Sequence, residues 1–142
     1  MDDHTAVPLQ PETLVTRMIE PRSQRRRTLL ITGASRGIGR AIAALALADG
    51  HRLSLGVRDP LSLAGTDLAR SDRVLLHRYD ALEPETAGAW VRATQAHFGG
   101  GTGGIDTVIH CAGIFSRVGL LFREGEEGEI ERVWRVNVMG PW

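Results

Sequence analysis

TLLITGASRGIGR, residues 28–40, is the stretch on which the reading of the chain turns. Thr28 to Thr32 is an apolar, β-branched run without alternation, which predicts a strand buried on both faces. Gly33, Gly37 and Gly39 follow it, and Arg40 to Asp49 (RAIAALALAD) has the alanine and leucine content of a helix. Gly50 stands where a helix commonly stops. Glycine admits positive φ and exposes bare backbone, while a helix N-terminus offers free N–H groups and a partial positive charge. A strand, a bare turn and a helix start in that order form a cradle for a pyrophosphate. The spacing is Gly-x-x-x-Gly-x-Gly. Glycines alone would serve a plain turn equally well, but the flanking strand and helix supply the context the motif requires.

Outward from this turn the chain alternates. His51 to Val57 (HRLSLGV) predicts a second strand, and residues 59–72 a loop with a short helix. Arg73 to Tyr79 predicts a third strand. Pro84 to Phe98 predicts a helix, with Pro84 in its first turn and Trp90, Ala93, Ala96 and His97 on one face. A Gly-rich connector, residues 99–104, leads to a fourth strand, Ile105 to His110. After a loop through Glu124, residues 126–139 have helical spacing, with Ile130, Val133, Trp134, Asn137 and Val138 recurring. Such alternation requires crossovers and so predicts a parallel sheet covered by helices on both faces.

The chain of 142 residues suits one domain, and 42% hydrophobic with 24% charged residues is the balance of a globular protein. Its 17 basic and 17 acidic groups cancel, which argues against a general affinity for nucleic acid or an anionic membrane. There is no apolar run of membrane-spanning length and no apolar signal core. Single Cys111 cannot form an internal disulfide, and a cytoplasmic location is expected. No metal site is expected. Residues 1–27 read as a flexible N-terminal arm, with a short amphipathic stretch at Leu14, Val15, Met18 and Ile19. The Arg25-Arg26-Arg27 run that ends it is either solvated or phosphate-seeking.

TGASRGIG at residues 32–39, CAG at 111–113 and VNVMG at 136–140, in that order, resemble the short-chain dehydrogenase/reductase family over residues 28–142. The resemblance implies a Rossmann-type doubly wound parallel sheet. Residues 28–142 would then be a partial dinucleotide-binding domain, truncated after the fourth strand and the following helix. It also implies that Gly33, Ser35, Gly37, Ile38 and Gly39 hold the pyrophosphate of a dinucleotide. Asp80 would meet the adenine amino group; a strand-end Asp capping the next loop is the compatible alternative. Cys111, Ala112 and Gly113 stand where the family has Asn-Ala-Gly and would pass close to the adenosine half. As a nucleophile Cys111 is a poor prospect beside a buried, inert thiol.

Cofactor choice follows from the end of the second strand. NAD-using Rossmann proteins hold the ribose 2′-hydroxyl with an acid there. Val57 stands at that position and Arg58 follows it, with Arg36 inside the glycine turn as a second cation, so NADP is expected over NAD. Asp59 dissents if its carboxylate turns inward. Asn137 is the one catalytic residue the resemblance assigns, kinking its helix and holding a water in a proton relay. The family's Ser and its Tyr-x-x-x-Lys have no counterpart, because the chain has one Tyr, Tyr79, and no Lys. The expectation is therefore an oxidoreductase that moves hydride between NADP(H) and a carbonyl or alcohol substrate by family, with the chain alone inactive. The alternative is an inactive dinucleotide-binding remnant or interaction module. A homo-oligomer formed through the last helix is expected, as are an unpaired edge on the fourth strand and exposure of Trp134, Val138 and Trp142.

Overall fold

The computed structural model describes residues 26–99, 104–118 and 123–141. Nearly all of the expected arm, most of the Gly-rich connector and Trp142 lie outside those residues. The elements in order are β1 (Thr28–Thr32), α1 (Gly37–Ala48), β2 (Arg52–Val57), a 3-10 turn (Pro60–Leu63), α2 (Asp67–Arg70), β3 (Val74–Arg78), α3 (Pro84–Phe98), β4 (Thr107–His110) and α4 (Glu127–Trp134). A π-helical turn, Arg135–Met139, continues α4.

All four strands run parallel in the order β3-β2-β1-β4. Leu29 of β1 sits level with Leu53 of β2 on one side and with Thr107 of β4 on the other. The chain thus builds outward from β1 to β3, then crosses back to place β4 on the other flank of β1. Right-handed crossovers put helices on opposite faces when the direction of building reverses. Accordingly α1 and α2 cover one face, where Leu29, Ile31, Leu53, Leu55 and Val57 meet Ala43, Ala46, Leu63 and Leu68. The opposite face carries α3, with Leu30, Tyr79 and Trp90 at its centre. Every residue of β1 is buried, as its unbroken apolar run predicts. Each such Leu or Ile contributes about 1.5–3 kcal/mol by leaving water.

The buried stripe of α3 differs from the one predicted. Thr86, Trp90, Thr94 and Phe98 are buried, whereas Ala96 and His97 are exposed and Ala93 lies between. Two threonines take places that periodicity would give to alanine because their hydroxyls find partners. Trp90 Nε1 donates to Ser54 Oγ at 2.7 Å, Ser54 Oγ lies 2.6 Å from Thr94 Oγ1, and Thr94 Oγ1 donates to the Trp90 carbonyl at 2.9 Å. Directed as Trp90 to Ser54 to Thr94 to Trp90 O, this ring uses each hydroxyl as donor and acceptor. A satisfied buried network costs little and fixes the helix rotation. Gly56 makes room for it: a Cβ there would stand 2.8 Å from the Trp90 ring.

Helix α1 begins three residues before the predicted start, at Gly37, so two of the turn's three glycines are helical. Strand β4 has β1 as its sole partner among the described residues, and Val108 on its α3-side face is 51% exposed. No residue of α4 proper is buried; Trp134 is exposed and Val138 half-buried, as expected for that helix. Among the described residues no helix is long and apolar enough to cross a membrane.

Gly56→Ala is expected to destabilise the chain by about 1–3 kcal/mol through overpacking against Trp90. Thermal denaturation followed by circular dichroism checks this; an unchanged midpoint would mean that the indole moves aside freely.

Candidate functional site

A cleft of about 460 Å³ opens at the C-terminal ends of the strands, between the glycine turn and the segment after β4. In an open parallel sheet, neighbouring strands whose connections leave in opposite directions create such a crevice. Here those strands are β1 and β4. The cleft is lined from the glycine turn by Gly33, Ser35, Arg36, Gly37, Ile38 and Gly39. The end of β2 contributes Val57 and Arg58, and the end of β3 contributes Tyr79 to Leu82. Cys111 to Ile114 form the far wall with Val136 and Arg132.

The turn is bare because the backbone demands it. Gly33 has φ +68°, and a Cβ on it would stand 2.6 Å from Ala112 N and 2.7 Å from the Cys111 carbonyl. A Cβ on Gly39 would meet the Gly33 carbonyl oxygen at 2.5 Å and Cys111 Cβ at 3.0 Å. The three segments are therefore packed backbone on backbone. Thr32, fully buried, ties them: its Oγ1 accepts from Cys111 N and from Ala112 N, both at 3.0 Å. Cys111 is partly exposed, which corrects the expectation of a buried thiol; its Cβ packs on the glycine turn while its edge faces the cleft.

Helix α1 enters the cleft uncapped. Arg36 at its N-cap makes no side-chain hydrogen bond to the first turn, and no acid lies in that turn. The free N–H groups and the dipole end therefore face the cleft, a ready site for an anion. Ile38 at the cleft is 75% exposed, an apolar side chain set against open space.

Arg36 and Arg58 are both exposed and both line the cleft. Asp59 does not line it: its Oδ1 accepts from Leu61 N at 2.9 Å and caps the 3-10 turn. The acid that could have opposed a phosphate is thus engaged locally. Asp80 takes up its alternative role as well, since its Oδ1 accepts from Leu82 N at 2.9 Å while the residue still borders the cleft. Thr86 Oγ1 accepts from Asp80 N at 3.1 Å and holds this corner to α3.

Asn137 lies in the π turn beside the cleft rather than in its wall. Its Oδ1 accepts from Ile114 N and its Nδ2 donates to the Ile114 carbonyl, both at 2.8 Å. One side chain thereby pins the last helix to the wall of the cleft where the helix changes pitch. A second pin is Tyr79, whose hydroxyl donates to the Gly140 carbonyl at 3.1 Å. Burial pushes the Tyr79 phenol above its ordinary range, and the nearby Asp80 charge adds to the rise. Three roles escaped the sequence reading: the tie made by Thr32 and the cleft-lining places of Val136 and Arg132, although Thr32 opens the TGASRGIG motif and Val136 opens VNVMG. Among the described residues no group of three or more His, Cys, Asp or Glu could hold a metal.

The short chain dehydrogenase family model matches residues 27–142. The chain belongs to the short-chain dehydrogenase family. Members of this family are oxidoreductases that bind NAD or NADP. The chain is 36% identical over 113 residues to an agropine synthesis reductase of Rhizobium rhizogenes, covering 80% of this chain and 25% of that protein. It is 36% identical over 120 residues to 2-(R)-hydroxypropyl-CoM dehydrogenase of Xanthobacter autotrophicus, covering 80% and 46%. Among solved structures, a short-chain dehydrogenase from Streptomyces avermitilis superposes with a TM-score of 0.71 at 27% identity, over 82% of this chain and 41% of that one. A glucose/ribitol-type short-chain dehydrogenase from Brucella melitensis gives 0.70 at 31% identity, over 81% and 47%. This short-chain dehydrogenase chain thus spans a quarter to just under half the length of these relatives.

Two measurements test this corner of the fold. Thr32→Val removes one acceptor from two amides and is expected to cost about 1–3 kcal/mol in chemical denaturation; no loss would mean that water replaces the hydroxyl. Tyr79 is the sole tyrosine, so its ionisation is spectroscopically isolated. Its folded pKa is raised, so the stability it contributes is whole below the unfolded phenol value and is lost as pH rises through the folded one. Ultraviolet difference titration should show tyrosinate forming at higher pH in the folded than in the unfolded chain. Coincident curves would place the hydroxyl in water.

Proposed function

We propose that this chain binds the dinucleotide of an NADP-dependent reductase of carbonyl or alcohol substrates. The observation that carries the reading is the pairing of Arg36 and Arg58 on one cleft whose neighbouring acid, Asp59, is turned into its own turn. The uncapped start of α1 and the amides of Gly33 to Gly39 fit a pyrophosphate, because side chains are excluded there by backbone contact. The guanidiniums fit a ribose 2′-phosphate, each charge-assisted hydrogen bond contributing about 1.5–3 kcal/mol. Cys111, Ala112 and Gly113 would pass along the adenosine half, and Asp80 would meet the base with the carboxylate oxygen that Leu82 leaves free. Bound there, NADP(H) carries the hydride. The names reductase and dehydrogenase of the relatives support that class of chemistry.

The protein's own part in hydride transfer would fall to Asn137, through the cleft wall it fixes and a water in a proton relay. No Lys is present, and the one Tyr is buried with its hydroxyl held by Gly140. A general acid/base pair of Tyr and Lys is therefore absent from these residues, which favours the second reading: on its own the chain is a dinucleotide-binding module. Self-association through α4, with Ile130 and Trp134 exposed, and a cytoplasmic setting belong to the same proposal.

Calorimetric titration tests both parts. NADP is expected to bind at least about tenfold more tightly than NAD, with Arg58→Ala abolishing most of the difference. Equal affinities, or a preference for NAD, would overturn the NADP assignment. Oxidation of NADPH by these 142 residues above the blank would overturn the second reading.

A further inference from the structure

Arg132 stands in the cleft wall with no part in the reading above. It lies one helical turn before Val136, so the two project from the same side of the last helix, and both line the cleft. Its guanidinium is held rather than loose. Nε donates to Glu129 Oε2 at 3.0 Å and Nη2 donates to Oε1 at 3.3 Å. Two bonds to one carboxylate fix the plane of the fork and leave its flat face available. The same contact holds the Glu129 carboxyl below its usual range, and the Ser116 hydroxyl contributes a smaller effect in the same direction.

The position of that plane follows from the cleft. In Rossmann domains the adenosine ribose sits at the end of the second strand, here at Arg58, with the pyrophosphate at the glycine turn behind it. The base must then lie beyond the ribose, over the end of β3. There Asp80, Ala81 and Leu82 line the cleft, as do Val136 and Arg132 of the last helix, which packs on the end of β3 through Gly140 against Ala81 and Tyr79.

We infer that Arg132 closes the outer side of the base pocket by laying its guanidinium plane on a purine ring, with Glu129 as the positioning residue. The inference rests on the dinucleotide reading and adds a contact to it. A guanidinium is attracted to the negative face of an aromatic ring and sheds its water more readily than an ammonium. The Arg132 side chain is 49% exposed, so the stacking contact stays partly wet and its effect is moderate. An exposed ion pair adds little to folding, so substitution here should leave the fold intact.

The test uses the 142-residue chain and its Arg132→Met, Arg132→Lys and Glu129→Gln variants, titrated calorimetrically with NADP, AMP, 2′-AMP and inorganic pyrophosphate. Arg132→Met is expected to weaken AMP and 2′-AMP alike, by about three- to tenfold, and to leave pyrophosphate unchanged. Arg132→Lys keeps the charge but loses the plane, and should behave like the Met variant. Glu129→Gln should weaken AMP by a smaller factor with no loss for pyrophosphate, an asymmetry that a merely structural role would not produce. Wild-type affinity for AMP in Arg132→Lys, equal losses for AMP and pyrophosphate, or a loss confined to 2′-AMP would each overturn the stacking role. In those cases wild-type binding of NADP would leave the dinucleotide reading standing. Failure of the wild type to bind NADP or pyrophosphate would overturn both.

Discussion

Ala112 N lies 2.6 Å from where a Cβ on Gly33 would be, and the ends of β1 and β4 meet there with no side chain between them. This backbone-on-backbone contact sets the width of the cleft. It requires glycine at position 33 twice over, for the left-handed φ and for the space. It also strands two amides, Cys111 N and Ala112 N, at the end of a strand where the sheet ladder has stopped. Thr32 Oγ1 receives both. The family usually has Asn where this chain has Cys111, and the loss of that amide leaves Thr32 as the link between the two strands at this level.

From that contact the placement of the remaining groups follows. The reversal of building direction at β1 puts α1 and α3 on opposite faces, so neither helix covers the strand ends. The start of α1 is then free to point its N–H groups into the gap. Asp59 caps the 3-10 turn and Thr66 caps α2, whereas α1, α3 and α4 start without a side-chain cap. Of the uncapped helices, α1 is the one whose first turn, Gly37 to Gly39, lines the cleft. A helix start whose free donors face an open cleft offers them to an anion.

The sequence was readable where a single local rule governs. β1 is buried on both faces because it is central in a parallel sheet, and its five apolar or β-branched residues say so without reference to the rest of the chain. Pro84 marks the start of α3 for an equally local reason. The buried stripe of α3 could not be read this way. Its rotation is set by Trp90 lying over Gly56 and by hydroxyls that need Ser54, a residue 36 positions from Trp90. Periodicity ranks Ala above Thr for burial, but a Thr whose hydroxyl is satisfied can be buried at little cost. The candidate site divides along the same line. The glycine turn, Arg36 and Arg58, which spacing and resemblance single out, line the cleft, whereas Val136 and Arg132 reach it, and Thr32 braces it from beneath, through contacts between distant segments.

Net charge gives no hint of an anion site, since acids and bases balance over the chain. The local arrangement does what the total does not. Each acid near the cleft is occupied by a neighbour: Asp59 by Leu61 N, Asp80 by Leu82 N, Glu129 by Arg132. The positive groups beside them, the start of α1 with Arg36 and Arg58, keep their charge turned to the opening. A carboxylate that accepts a backbone N–H stays charged but directs its lone pairs away from a visiting phosphate. The charge that the cleft presents therefore depends less on which charged residues the chain carries than on which acids are already engaged by their neighbours.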